Sequence, residues 1–173
     1  MLALAITNRG RTAVSNLNPK YPIGHPVKLL DLLKKDPVVL RQEKLDAEIF
    51  KAINTRNIER FEHGLRSGAH IEARDKWGFT SAIIAARKHW PDLMSSVIRA
   101  GANLDAVDRN NSTPLHHCVL FMEKEHSLNV ARMLVKAGAS LTIRDHWGGT
   151  PYERVPKTGY FDEWLEVLKA GDA

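Results

Sequence analysis

Four times between residues 45 and 173, an apolar stretch with helical spacing ends in a basic residue and a small one: Leu65-Arg66-Ser67, Ile98-Arg99-Ala100, Val135-Lys136-Ala137 and Leu168-Lys169-Ala170. The first three run into Gly-Ala steps at Gly68-Ala69, Gly101-Ala102 and Gly138-Ala139, and Gly171 closes the series at spacings of 33, 37 and 33. After each of the first three glycines comes a matching polar-apolar segment: His70 to Asp75, Asn103 to Asp108, and Ser140 to Asp145. A turn and a helix start follow at Trp77-Gly78-Phe79-Thr80-Ser81, Asn110-Asn111-Ser112-Thr113-Pro114-Leu115-His116 and Trp147-Gly148-Gly149-Thr150-Pro151-Tyr152. A fixed period of this length is the mark of stacked helix-turn-helix units, each burying its apolar face on its neighbours. Upstream, Asp36-Pro37 opens a further helix, and residues 27–35 carry Leu29, Leu30, Leu32 and Leu33 on an amphipathic stretch.

The run Thr113-Pro114-Leu115-His116, set in this period, resembles the ankyrin repeat over about residues 45–173. The resemblance implies an all-α solenoid of helix-turn-helix repeats with hairpin-like turns. Four repeats are expected, near 45–75, 76–108, 109–145 and 146–173, after a basic arm (1–25) and a helical extension (26–44) that packs on the first repeat. Local chemistry agrees. Thr80, Thr113 and Thr150 can cap first helices, Pro114 and Pro151 sit where a missing N–H costs nothing, and Gly68, Gly101 and Gly138 suit second-helix ends. Small residues (Ala52, Ala85, Ala86, Cys118) suit close packing of first helices. Larger ones (Phe61, Leu65, Met94, Val97, Ile98, Met133, Leu134, Trp164, Leu168) suit the second-helix layer.

There are departures from the family pattern. The first repeat lacks the Thr-Pro start and carries Gly64 where a bulky apolar residue is usual. Repeat two has Ser81 and Ile83 for Pro and His, with Pro91 opening its second helix. About four residues, Met122 to Glu125, lengthen the loop between the helices of repeat three. Arg154 and Pro156 should shorten or kink the first helix of repeat four. The last helix should expose Glu163, Glu166 and Lys169, as a terminal repeat must to stay soluble.

The 173 residues, 43% hydrophobic and 26% charged, are globular in composition and rule out wholesale disorder. One cysteine, Cys118, cannot form an internal bridge, which points to a reducing, cytoplasmic setting. Residues 1–44 hold eight Lys/Arg against three acids, and the rest of the chain balances 17 against 17. The net +5 therefore belongs to the N-terminal segment, not to the repeats. Its acid-free first 30 residues also fit an organellar transit peptide, but a solvated arm is the preferred reading.

Catalytic and metal chemistry find little support. His116, His117 and Cys118 are adjacent, and neighbours on a helix point about 100° apart, so they do not converge on one ion. The resemblance gives His116 a structural role in hydrogen-bonding neighbouring turns. Cys118 falls on a core position, where a thiol is inert. His89, His126 and His146 read as solvated loop or tip residues. The expectation is a protein without enzymatic activity, cofactor or metal.

A binding surface is expected where the turn tips and the exposed faces of the first helices line the concave side. The candidate residues are Lys76, Trp77 and Phe79; Arg87 and Lys88; Arg109 and Asn110; Leu120 and Phe121; and His146 and Trp147. Tryptophan and arginine dominate interface hot spots, and two tip tryptophans flanking Arg109 suit a partly acidic protein partner. The bland alternative is that each tryptophan only rigidifies its own hairpin. The leading function is thus a monomeric protein-protein interaction module (adaptor, scaffold or inhibitor) with no small-molecule substrate and no membrane partner. A stand-alone bacterial effector or toxin-neutralising immunity protein is an alternative resting on family analogy and size. Nucleic-acid association through the basic arm is the disfavoured third reading.

Overall fold

A computed structural model describes residues 36–120, 124–157 and 161–169. The basic arm, the leucines at 29–33, Phe121 and Gly171 lie outside the described residues. Among those residues the chain is helical, without strands. Helices α1 (Pro37–Asn54) and α2 (Ile58–Arg66) form a first pair, α3 (Ser81–Arg87) and α4 (Pro91–Arg99) a second, and α5 (Pro114–Leu120) and α6 (Lys124–Lys136) a third; α7 (Phe161–Lys169) closes the order. First helices pack on first helices and second on second, so α3 meets α5 while α2, α4 and α6 form the other row.

The rows meet over a continuous apolar core. Ala52, Ala85, Ala86 and Cys118 are fully buried, and their small size lets the short helices approach. Phe61, Met94, Val97, Leu134, Trp164 and Leu168 are buried on the second-helix side, with Leu65, Ile98 and Met133 half-buried beside them. The Oγ1 atoms of Thr80, Thr113 and Thr150 accept from the N–H of Ile83 (3.4 Å), His116 (3.4 Å) and Glu153 (3.3 Å), caps worth about 1 kcal/mol each. Gly68, Gly101 and Gly138 take φ of 101°, 72° and 89°, a left-handed region that costs a residue with a Cβ about 1 kcal/mol or more.

Five features differ from the sequence reading. The first is α1, which runs 18 residues without a break across position 44. Its middle serves the first turn as a preceding repeat would. Asp46 Oδ1 accepts the His70 N–H (2.8 Å), as Glu72 Oε1 accepts that of Asn103 (2.6 Å) and Asp105 Oδ1 that of Ser140 (2.7 Å). Second, Gly64 is buried where α2 crosses α1, and a Cβ there would lie 2.6 Å from Ile49 Cγ2. The glycine is the residue that lets the two helices touch.

Third, the second half of the insertion is helical: Lys124 and Glu125 belong to α6, which has 13 residues against nine in α2, α4 and α7, while Met122 and Glu123 lie outside the described residues. Fourth, Pro151 to Arg154 make only turns. The Arg154 N–H reaches Thr150 O (3.1 Å), but Pro156 has no N–H to continue the ladder. Fifth, His89 is buried, not solvated; it ends α3 at φ 51°, as Arg56 ends α1 at the same angle. The last helix does expose Glu163, Glu166 and Lys169.

Two adjacent histidines tie repeats together. His116 is fully buried; its Nε2–H donates to Gly149 O in the next unit (3.0 Å), and its Nδ1 accepts from the Thr113 N–H (3.2 Å). That pair of bonds suits the neutral ring with its proton on Nε2, and the Thr113 hydroxyl also lies 2.8 Å from Nδ1. His117 Nε2 donates to Asp108 Oδ2 at 2.9 Å, both side chains being almost wholly buried. Burial lowers the protonation range of both rings, although Gly149 O and Asp108 pull the other way.

Two predictions follow from this packing. Gly64→Ala recovers about 1 kcal/mol of helix propensity but adds a methyl that overpacks the crossing at about 1–3 kcal/mol. The net effect is therefore a loss, and Gly64→Leu loses more. Urea midpoints at constant m check this, and a stabilised alanine variant would show that α1 and α2 can separate. Next, a histidine that binds its proton less readily when folded contributes stability that is complete above about pH 6.5 and declines below it. Urea midpoints should therefore fall from pH 7.5 to pH 5, and less steeply in His117→Asn, whose amide can still donate to Asp108. A flat midpoint over that range would contradict the assignment.

Candidate functional site

Each of the three turns is organised by one aspartate. Asp75 Oδ1 accepts the N–H groups of Trp77 and Phe79 (2.9 Å each). Asp108 Oδ1 does the same for Asn110 and Ser112 (2.8 and 3.0 Å), and Asp145 Oδ1 for Trp147 and Gly149 (3.0 Å each). The residue three after each aspartate takes positive φ: Gly78 at 88°, Asn111 at 56° and Gly148 at 78°. With the backbone bent inward over the carboxylate, the residues one and two after the aspartate are thrown outward. This places Lys76 and Trp77, Arg109 and Asn110, and His146 and Trp147 at the tips. Arg109 Nη2 donates to Lys76 O (3.4 Å) and the His146 N–H to Asn110 O (2.8 Å), so successive tips are tied edge to edge.

Trp77 is 55% exposed and Trp147 is 63% exposed. Lys76 Nζ lies 4.1 Å from the Trp77 ring centroid, Arg154 Cζ 5.7 Å from that of Trp147, and the His146 ring meets Trp147 edge-on at 5.7 Å. The tip of Arg109 and Asn110 lies between the two tryptophans in the chain of tip-to-tip hydrogen bonds, and both of its residues are exposed. Phe79 stands apart: it is half-buried, T-shaped against His117 at 5.7 Å and with the Arg87 guanidinium 5.1 Å over its ring, so it joins two repeats. Arg87 and Lys88 are exposed at the end of α3, and Leu120 is 46% exposed at the end of α5. Phe121 lies outside the described residues.

The second oxygen of each aspartate meets a different environment. Asp108 Oδ2 takes His117, nine residues on. Asp145 Oδ2 takes Arg154 Nε (2.7 Å), also nine residues on, while Arg154 Nη2 reaches Oδ1 (2.6 Å). Burial disfavours charge on Asp145, but the Arg154 guanidinium and the N–H groups of Gly149 and Trp147 outweigh it and hold the carboxyl below its usual range. At the first turn the residue nine on is Ile84, and among the described residues Asp75 Oδ2 has no hydrogen-bond or ion-pair partner. An open groove of about 630 Å³ begins there, lined by Glu43, Ala47, Phe50, Asp75, Trp77 and Ile84 among others. The sequence reading missed it. Its outer wall is the long α1, and the one legible signal was isoleucine at the position that holds His117 and Arg154 in later repeats.

Among the described residues the His116-His117-Cys118 run is committed to packing and hydrogen bonds within the stack. His116 uses both ring nitrogens on Thr113 and Gly149, His117 uses Nε2 on Asp108, and burial pushes the Cys118 thiol up, keeping it protonated. Among the described residues no three His, Cys, Asp or Glu side chains cluster as a metal site, and no helix is long and apolar enough to cross a membrane.

Comparison with known proteins agrees with this architecture. XBAT34 of Arabidopsis thaliana is 26% identical over 123 residues, 69% of this chain and 32% of that protein. Ankyrin repeat protein OPG189 of Variola virus is 26% identical over 89 residues, 51% of this chain and 15% of its own. The chain thus spans less than a third of either relative. Among solved structures, the ankyrin repeat domain of Bcl-3 superposes with a TM-score of 0.60 at 25% identity, over 68% of this chain and 50% of that one. An ankyrin repeat domain from Acinetobacter baumannii AYE gives 0.66 at 24%, over 72% and 64%, and shows the same fold. The family described as ankyrin repeats (3 copies) matches residues 49–145, more than half of the sequence, and with Asp-centred tips recurring on paired helices throughout that stretch, the chain belongs to the ankyrin-repeat family.

Proposed function

We propose that this protein is a non-catalytic interaction module, an adaptor, scaffold or inhibitor, that holds a protein partner against the face made by its turn tips and first helices. Ankyrin repeats are in general protein-protein interaction modules. The observation that carries the reading here is the pair of outward tryptophans, Trp77 and Trp147, more than half exposed on turns whose geometry leaves them nowhere to be buried. A large aromatic in such a place contributes little to folding, while rigid amphipathic rings are what interfaces use as anchors.

Charge supports a partly acidic partner. Lys76, Arg87, Lys88, Arg109 and His146 share this face with the tryptophans, and Leu120 adds an exposed apolar contact. Asp145 and Arg154 behind the last tip keep Trp147 in a fixed position, which reduces the entropy lost on binding.

Trp77→Ala with Trp147→Ala should leave helical content unchanged and shift stability by no more than about 0.5 kcal/mol, because both rings are solvent-facing. Binding to a partner isolated by affinity capture should weaken by about 30-fold or more for each anchor lost. Calorimetric titration of wild type and variant measures this. Equal affinity for both would remove the tip face as the binding site.

A further inference from the structure

We propose that the groove beside the first hairpin receives an arginine side chain of the protein partner, paired with Asp75 and resting between Trp77 and Phe50. The inference rests on the reading of the tip face as a partner surface and specifies what one part of that surface recognises.

The three hairpins share an aspartate whose Oδ1 closes the turn, and in two of them a nitrogen nine residues on satisfies Oδ2: His117 Nε2 at 2.9 Å and Arg154 Nε at 2.7 Å. The first hairpin repeats the third almost letter for letter, Asp75-Lys76-Trp77-Gly78 against Asp145-His146-Trp147-Gly148. There, however, the helix offers Ile84, Oδ2 has no partner among the described residues, and Asp75 lines the groove. The fold therefore presents at Asp75 the acceptor that it fills internally at Asp108 and Asp145.

The groove's other charges do not fill that place. Lys51 pairs with Glu48 (3.7 Å), Arg74 Nη1 donates to Gly78 O and Val107 O (2.7 and 2.8 Å), and Lys76 lies over the Trp77 ring. Asp46 is used by Gln42 and His70. Arg74 and Lys76 are taken by carbonyls and a ring, whereas Asp75 Oδ2 and the Glu43 carboxylate have no hydrogen-bond or ion-pair partner among the described residues, and a donor placed between these two acceptors is best a cation. The walls decide which one. Ala47, Phe50, Ile84 and Trp77 suit a weakly hydrated planar guanidinium and its apolar stem better than a strongly hydrated ammonium.

The pose differs from that of Arg154 in one respect. Arg154 lies over Gly149, where a Cβ would collide with its Nε; the first hairpin has Phe79 at that place. An incoming guanidinium must therefore reach Oδ2 from the groove side, as His117 reaches Asp108 past Ser112.

The test uses the full chain and N-acetyl-arginine methylamide as the probe, followed by the tryptophan indole N–H signals in ¹⁵N-correlated spectra at constant ionic strength. The expected result is a saturable shift of the Trp77 signal with a dissociation constant of order millimolar, and no matching shift at Trp147, whose place Arg154 already holds. Asp75→Asn keeps the Oδ1 acceptor for the turn and should weaken binding about tenfold. Ile84→Arg supplies the guanidinium from within and should abolish binding, with the rest of the spectrum reporting that both variants fold. A linear shift, equal movement of Trp77 and Trp147, equal binding of the lysine analogue, or undiminished binding in both variants would overturn the proposal. If arginine fails while the tryptophan pair still controls partner capture, the tip face stands and only the groove assignment falls. Arginine binding with capture unaffected by the tryptophans would be the reverse case.

Discussion

The aspartate that opens each hairpin meets two demands at once, and the layout of the interaction face depends on how they are met. Oδ1 holds the N–H groups two and four residues on, which bends the tip and drives the intervening side chains into solvent. Oδ2 is left pointing at the first helix, where a buried carboxylate oxygen without a donor would be costly. His117 and Arg154 answer that cost in two repeats, and each also stiffens the tip it supports. One residue type thus fixes the turn, exposes the tryptophans and sets the charge behind them.

A stack of repeats has contacts only between neighbours, so each junction must satisfy its own backbone. The series Asp46 to His70, Glu72 to Asn103 and Asp105 to Ser140 does this with one carboxylate per junction. The tips add Arg109 to Lys76 and His146 to Asn110, and His116 reaches Gly149 inside the stack. At the first junction the carboxylate is Asp46 of α1. The same helix needs Gly64 opposite Ile49 to lie close enough. What looks like a lapse from the family pattern at position 64 is the condition for closing that end.

The parts legible in the sequence were those written in local chemistry. Threonine caps, proline at first helical positions and glycine after second helices each act within a few residues, so spacing alone located them. The tips were legible for the same reason, since Trp77 and Trp147 are placed by a four-residue hydrogen-bond pattern around one aspartate. The half-burial of Phe79 was not legible because its ring partner His117 belongs to the next repeat and is met only through the stack. His89 was misjudged because a polar residue at a helix end is ordinarily solvated, whereas the fold buries this one. Lys124 and Glu125 were placed in a loop because charged residues there show no apolar period, whereas α6 already begins at Lys124.

By itself the sequence determined the repeat: its period, its all-helical class, its caps and the outward tip residues, because these follow from backbone conformation and hydrogen bonds that close within one unit. The tertiary structure alone decided which polar groups are satisfied and which are not. The pairing of Asp108 with His117 and of Asp145 with Arg154, the open oxygen of Asp75 and the groove beside α1 depend on elements brought together by packing. The physical reason is that a hydrogen bond across a repeat forms only at one relative placement of two rigid units, and that placement is set by side-chain volume, such as the missing Cβ at Gly64, which no local pattern encodes.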